Sequence, residues 1–324
     1  MPLRRRRLLA LPAIIGAGRP ALAQPAWPER PIRWVVNFPP GGAADTLSRI
    51  LAEQIGTGFG QPIVVENRPG AGGMVGADIL AKARGDAHLV MVSSAASHGI
   101  GPVLYPMAPY DPLADFTHVA LVGTFPSVLV VNPGVPAQSL AEFLALARGR
   151  LGGLAFGTGG NGTMNHLTGV LLARAAGVEL THVPYRGSAP ALADAMGGQI
   201  PAVMESLPIA LPHLRAGRLR ALGTSEAARD AALPDVPSFA EAGFAAVQST
   251  NWFGFSTTAG LPPAVIGRWQ AAIEAALADA RLRERFAGLG VVPGRMGPAD
   301  YTSLVTSELA RWRRVIQEAG VKPD

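Results

Sequence analysis

The chain contains no cysteine in its 324 residues. That absence removes disulfides, thiolate zinc sites, iron–sulfur clusters and a cysteine nucleophile at once, and it leaves stability to packed cores alone. Histidine makes metal ligation no easier. The six histidines, at 88, 98, 118, 166, 182 and 213, are scattered, and none forms an H-E-x-x-H or similarly spaced pair. No metal and no cofactor is expected. Long hydrophobic runs are missing too, because no stretch reaches the ~18 uncharged apolar residues that a membrane helix needs.

What positive charge the chain has in excess sits at its start. Arg4 to Arg7, the short apolar run Leu8 to Ala17 and the small-residue site Ala21-Leu22-Ala23 have the order of a bacterial export signal, cleaved after about Ala23. Arg5-Arg6-x-Leu8-Leu9 leaves a twin-arginine route open. The formal net charge is +5, and residues 1–23 carry five arginines and no acid, so the remainder balances 23 basic against 23 acidic residues. An argument from net charge to nucleic acid or to an anionic membrane therefore has no footing, and any anion site must be local. The expected location is the periplasm.

The most informative segment is Val35-Val36-Asn37-Phe38-Pro39-Pro40-Gly41-Gly42-Ala43-Ala44-Asp45. An apolar run from Ile32 to Phe38 reads as a buried strand, and Leu47, Ile50, Leu51 and Ile55 then recur at helical spacing. The free amides that open that helix, together with its dipole, favour a negative group beyond the end of the strand. Gly41 and Gly42 let main chain approach a ligand without side chains in the way. A second segment has the same design: Leu154-Ala155-Phe156, the loop Gly157-Thr158-Gly159-Gly160-Asn161-Gly162-Thr163, and a helix from about Met164 with Thr163 as its N-cap. A bound carboxylate or phosphate held between two such loops is the first functional expectation.

Strand and helix signals alternate along most of the chain, with strands expected at 63–66, 88–92, 128–131, 180–183, 202–205 and 219–223 and helices at the C-terminal end. This is an α/β pattern, in which ligands bind beyond the carboxyl ends of strands. Two apolar extended stretches, 127–132 and 253–257, are candidate crossings between two lobes. The expected organisation is a discontinuous lobe 1 from 24–126 plus 256–324 and a lobe 2 from 127–255, hinged at those crossings.

Enzyme signatures fail at specific residues. Gly157-x-Gly159-x-x-Gly162 satisfies the dinucleotide fingerprint, but the acid that should end the following strand is absent and Glu179 precedes that strand. Thr163-Met164 stands where a P-loop needs Lys-Ser or Lys-Thr, and no G-x-S-x-G elbow occurs. Neither a nucleotide-dependent enzyme using the Gly157–Gly162 loop nor an α/β hydrolase is supported, and the former is kept as the weaker alternative to the binding protein that the resemblance described next implies.

Several motifs occur in a fixed order: Pro31-Ile32-Arg33, Phe38-Pro39-Pro40-Gly41-Gly42-x-x-Asp45, Val65-Glu66-Asn67-Arg68-Pro69-Gly70-Ala71-Gly72-Gly73, the Gly157–His166 loop, Val183-Pro184-Tyr185-Arg186-Gly187 and Pro234-Asp235-Val236-Pro237. In this series the chain closely resembles the Bug (TctC-like) periplasmic solute receptors of tripartite tricarboxylate transporters, over essentially all of residues 27–320. The resemblance implies a two-lobed type II periplasmic-binding-protein fold, each lobe a mostly parallel sheet flanked by helices. It implies a monomer that binds a small organic acid, whether a mono- or dicarboxylate, an aromatic acid or an amino acid, and delivers it to membrane transporter subunits. Presentation to a signalling partner instead is the alternative role. In that family the two glycine loops meet a ligand carboxylate through amides, hydroxyls and bridging waters.

Carried over by position, the first loop offers Phe38, Pro40, Gly41 and Gly42, and the second Thr158, Gly159, Asn161, Gly162, Thr163, Asn165 and His166. Asp45 is either a first-turn acid that favours the helix dipole or a partner for a ligand ammonium. His166 makes either a local hydrogen bond near the Thr163 cap or a ligand contact. Tyr185 and Arg186 are candidates to read a second carboxylate, with a solvated loop as the alternative. Ser94, Ser97 and His98 follow a strand end as candidate wall residues. Glu205 stands where the family usually has an aspartate, which places a longer carboxylate near the cleft and changes its specificity.

Overall fold

The structure, a computed structural model, describes residues 27–322. The expected export signal lies outside the described residues. The strands are β1 (Ile32–Val36), β2 (Ile63–Asn67), β3 (Leu89–Ser94), β4 (Phe116–Val131), β5 (Leu154–Thr158), β6 (Leu180–Pro184), β7 (Ala202–Ser206), β8 (Arg220–Thr224), β9 (Thr250–Thr258) and β10 (Val292–Pro293). The helices are α1 (Ala43–Gly56), α2 (Met74–Lys82), α3 (Gly101–Leu104), α4 (Leu140–Arg148), α5 (Met164–Ala176), α6 (Ser188–Met196), α7 (Leu207–Arg215), α8 (Pro263–Ala278), α9 (Ala280–Gly288) and α10 (Pro298–Ala319). A π-helical turn, Ala95–Ile100, joins β3 to α3.

The strands run in the order β2-β1-β3-β9-β4-β7-β5-β6, with β8 and β10 also paired to β4. β1 pairs in parallel with β2 and β3, and β5 with β6 and β7, so each half carries the βα repeats that the alternating signals predict. The joining strands run against them: β9 is antiparallel to β3 and β4, while β4 is antiparallel to β7 and β8. Strands buried on both faces read as continuous apolar runs, and Trp34–Val36 of β1 and Leu89–Val92 of β3 do so.

One strand holds both halves. From Phe116 to Pro126, β4 pairs with β9, and Pro126 stands opposite Thr250. From Ser127 onward the same strand pairs with β7, where Ser127 stands opposite Ser206. The handover thus falls between residues 126 and 127. The return differs from the crossing expected at 253–257. All of β9 belongs to the first sheet, Phe253–Thr257 pairing with β3, and the chain re-enters that sheet at 249–250. The apolar character of 253–257 reflects burial between β3 and β4 rather than a linker. Ser225 and Ser249 tie the return to the handover, since Ser225 N–H donates to the Ser127 carbonyl and Ser249 N–H to the Ser225 carbonyl, each at 2.9 Å.

Two cores follow from this topology. Trp34, Phe255 and Trp269 centre the first, Trp34 meeting Phe255 edge-on at 4.9 Å, and Phe143, Phe156 and Phe239 centre the second. α10 buries Tyr301, Val305, Glu308, Trp312 and Ile316 at helical spacing and ends at Gly320, whose φ of 63° suits a glycine C-cap. Its Glu308 accepts from two buried indoles, Trp252 Nε1 at 3.2 Å and Trp312 Nε1 at 2.8 Å, so each indole has the partner a buried donor requires.

Tyr301 lies across β9 at Gly254, where an added Cβ would sit 2.1 Å from the phenol oxygen. That hydroxyl bonds Ser93 Oγ at 2.6 Å, which bonds Ser256 Oγ at 2.7 Å. Gly254→Ala is therefore expected to expel Tyr301 and lower the unfolding free energy by about 3 kcal/mol, the upper end of overpacking costs. Urea titration measures this, and an unchanged midpoint would show that Tyr301 is not fixed there.

Candidate functional site

The β1–α1 loop is built to hold its shape. Gly41 adopts φ +79°, and its amide donates to Asp45 Oδ2 at 3.0 Å. Asp45 Oδ1 accepts from Arg49 Nε at 3.0 Å and Asn67 Nδ2 at 2.9 Å, and the same Asn67 amide group donates to the Phe38 carbonyl at 3.0 Å. Burial works to raise the Asp45 pKa, but the hydrogen bonds from Arg49, Gly41 and Asn67 outweigh it and hold the carboxyl below its ordinary range. Asp45 is thus the brace of this loop.

The β5–α5 loop is braced by side chains of its own. Thr158 Oγ1 accepts the Gly160 amide at 3.2 Å and meets His182 Nε2 at 2.7 Å. Thr163 Oγ1 donates to the Gly160 carbonyl at 2.8 Å and accepts the His166 amide at 3.3 Å. His166 Nδ1 accepts the Gly162 amide at 3.3 Å, and its ring stacks on His182 with centroids 3.9 Å apart. Burial, aided by the neighbouring His182, pushes the His166 pKa down to about 3, so the ring is neutral with its proton on Nε2.

Between the loops lies an inner cavity of about 70 Å³. It opens toward a vestibule of about 630 Å³ that shares Phe38, Pro39, Gly159, Thr163 and Gly187 with it. At roughly 10–15 Å³ per water centre, the inner space takes about five waters or the polar head of a small ligand. The starts of α1, α5, α6, α7 and the π-helical turn all reach its wall, through Ala43, Asn165, Ser188, Ser206 and Ala95 respectively. Helix starts present amides without intrahelical partners and the positive end of the dipole. Phe38, Trp252 and Phe253 supply the apolar side.

The jaws approach one another at Gly187 and at Gly72, as well as where Gly162 meets Leu104. A Cβ added to Gly187, at φ +115°, would lie 3.0 Å from Pro39 Cγ, and one added to Gly72 would lie 3.4 Å from the Asn161 carbonyl.

The floor is a chain of buried polar groups that starts on β9. Asn251 Nδ2 donates to Ser127 Oγ at 2.8 Å, Ser127 donates to Asn165 Oδ1 at 2.7 Å, and Asn165 Nδ2 donates to Glu205 Oε1 at 3.2 Å. The Ser206 amide also donates to Glu205 Oε1, at 2.7 Å. Oε2 has no hydrogen-bond partner among the described residues, and Glu205 is 1% exposed. Burial pushes its pKa up to about 7, against the opposing hydrogen bonds of Ser206, Ser188 and Asn165.

Of the residues expected from sequence, Phe38, Gly42, Ser94, Gly159, Thr163, Asn165 and Glu205 line the inner cavity, and Asn161, Tyr185 and Arg186 line the vestibule. Pro40, Gly41, Asp45, Ser97, His98, Thr158, Gly162 and His166 line neither. Pro40 and Gly41 lie on the exposed side of the loop, where Pro39 takes the cavity side. His98 is fully buried, with Nδ1 2.9 Å from Ser97 Oγ and its ring edge-on to Phe116. Tyr185 directs its hydroxyl to Asp194 at 2.7 Å. Sequence reading missed Ser188, Ser206 and Asn251. The first two open helices after strands, as Gly42 and Thr163 do, and that repeated strand-to-helix turn was the available signal.

A family model described as the tripartite tricarboxylate transporter family receptor matches residues 47–321. The chain belongs to this receptor family. Protein BugT of Bordetella pertussis is 37% identical over 321 residues, covering 98% of each chain. Among solved structures, R. palustris Rpa4515 with adipate is similar at 32% identity and a TM-score of 0.88, with 92% of this chain and 100% of that one covered. MatC from Rhodopseudomonas palustris with bound malate is similar at 32% identity and a TM-score of 0.83, covering 90% and 100%. The architecture is accordingly the two-lobed periplasmic-binding-protein fold, and relatives of this receptor are solute-binding proteins rather than enzymes. No helix among the described residues is long and apolar enough to cross a membrane.

Asp45→Asn, which keeps size and removes charge, is expected to cost the receptor about 1–2 kcal/mol at pH 7, as for hydrogen bonds to a charged group. Because the folded-state pKa lies below the unfolded value, this contribution is present above about pH 4 and vanishes as pH falls through the folded pKa. Urea titrations at pH 7 and pH 3 check it; an equal difference at both pH values would refute the ionic role.

Proposed function

We propose that this chain is an exported receptor that captures a small organic carboxylate between its two lobes and presents the closed form to the membrane subunits of a tripartite tricarboxylate-type transporter. The supporting observation is the inner cavity itself. Helix starts converge on it, and no lysine, arginine or histidine among the described residues lines it. Such a wall suits one carboxylate taken up through amides, hydroxyls and water, with the ligand's carbon chain against Phe38, Trp252 and Phe253. The far end of a longer acid reaches the vestibule, where Arg186 is the cationic side chain on the wall. The adipate and malate of the two R. palustris relatives make mono- and dicarboxylates of that size the first compounds to try. Closure is a hinge at the β4 handover and the 249–250 return, the ligand favouring the closed form by binding it better.

The test is a thermal-shift panel on refolded mature protein against mono- and dicarboxylates, aromatic acids, amino acids and nucleotides. A ligand at 100 times its dissociation constant adds about 2.7 kcal/mol to stability. Stabilisation by an acid supports the reading, and stabilisation by a nucleotide alone refutes it. For any acid that binds, Gly187→Ala is expected to weaken affinity by about tenfold, or 1.4 kcal/mol, since the new methyl would crowd Pro39 of the opposite jaw at 3.0 Å from a backbone at φ +115° that an L side chain rarely adopts. Calorimetry that returns unchanged affinity would remove the Gly187–Pro39 contact from the closing surface.

A further inference from the structure

Glu205 is the one ionisable residue on the wall of the inner cavity, and the geometry around it fixes which oxygen does what. The Ser206 main-chain N–H donates to Oε1, so Oε1 is an acceptor in either ionisation state. Asn165 adds a second donor to the same atom. A proton on this carboxyl therefore resides on Oε2, which makes no hydrogen bond of good geometry among the described residues in a side chain that is 1% exposed, the Ser188 side chain being a further group close enough to favour the ionised form. Buried polar atoms are paired as a rule, and an orphan beside a cavity marks where a ligand atom completes the set.

The elements packed against Glu205 bring no counter-charge. β4 stands opposite with Val128, α5 brings Asn165, α6 brings Ser188 and α7 brings Ser206. The titratable groups of those elements are engaged elsewhere. His166 stacks on His182, Asp194 accepts from Tyr185, and His118 is held between Ser256 and the Pro112 carbonyl at the other end of β4. Arg174 and Arg215 are exposed in the last turns of α5 and α7, and His213 pairs with Arg218.

A carboxylate entering this space would face an ionised Glu205 with nothing to separate the two charges. Two carboxyls in such a site share one proton. A ligand ammonium is opposed by the helix starts, which make the wall positive. We propose that Glu205 binds the ligand as a neutral carboxylic acid, its Oε2–H donating to one oxygen of the ligand carboxylate, so that each ligand is bound together with one proton. This rests on the carboxylate-receptor reading above. Burial already brings the free carboxyl to about 7, and an anionic ligand raises it further. Affinity is therefore fully developed below pH 7 and weakens as pH rises, approaching tenfold per pH unit until the liganded pKa is passed.

Calorimetry with succinate, malate, glutarate and adipate, from pH 5.5 to 8.5 in two buffers of different ionisation enthalpy, tests it on the mature protein. The expected result is uptake approaching one proton per ligand at pH 8 and an affinity that falls with pH. Glu205→Gln, which keeps a donor at the Oε2 position, is expected to bind with no proton uptake and a flat pH profile near the wild-type affinity at pH 5.5. An affinity independent of pH or rising with it overturns the proposal, as does a folded Gln variant that no longer binds. Proton uptake by the wild type stands as a readout even if that variant fails to fold. If none of the four acids binds, the same titrations are made with whichever acid the thermal-shift panel identifies, and if that panel identifies no acid the receptor reading itself falls and this proposal with it.

Discussion

The site is shaped by one constraint: the wall of the inner cavity carries no cationic side chain among the described residues, so whatever positive charge it offers an anion such as the proposed carboxylate must come from main chain. Burying an unpaired charge is costly, and a buried guanidinium or ammonium would carry its own desolvation penalty between ligands. The fold meets the constraint with main chain. The starts of α1, α5, α6 and α7 and the π-helical turn converge on one small cavity, and each contributes fractional positive charge that is already paid for by its helix. The braces behind the loops follow from the same need. Amides can replace water only if they are held still, and Asp45, Thr158, Thr163 and His166 spend their hydrogen bonds on holding them.

The architecture puts those helix starts in one place because two βα-repeat halves face each other across a shared strand. Parallel strands deliver their helices at the same end of a sheet, so each half has one functional edge. β4 then brings the two edges together. The polar chain from Asn251 through Ser127 and Asn165 to Glu205 runs along that junction, so the cavity floor and the handover between the sheets are parts of one hydrogen-bonded unit.

Much of this is legible in the sequence. The βα segments at Ile32–Ile55 and Leu154–Leu171, the Thr163 cap and the two glycine loops are local signals, and local signals survive folding. Two kinds of information are not local. Side-chain direction within a loop decides that Pro39 faces the cavity while Pro40 faces solvent, and that Asp45 folds back onto Gly41. Pairing decides that 253–257 is an interior strand, which its apolar composition fits equally well as a crossing. Ser97 and His98 fail as wall residues for a related reason: the chain enters a π-helical turn after Ser94 and carries them into the core beside Phe116.

The handover on β4 has a consequence for movement. Residue 126 is proline, which has no amide to give to a neighbouring strand. Pro126 is the last residue of the ladder with β9, opposite Thr250, and the ladder with β7 begins at the next residue, Ser127 opposite Ser206, so the strand changes partner beside a residue that cannot donate. For the hinge proposed above, this places the change of partner at a position with one hydrogen-bond donor fewer than its neighbours. In that reading the pivot is marked by a missing donor inside a buried strand rather than by a flexible linker.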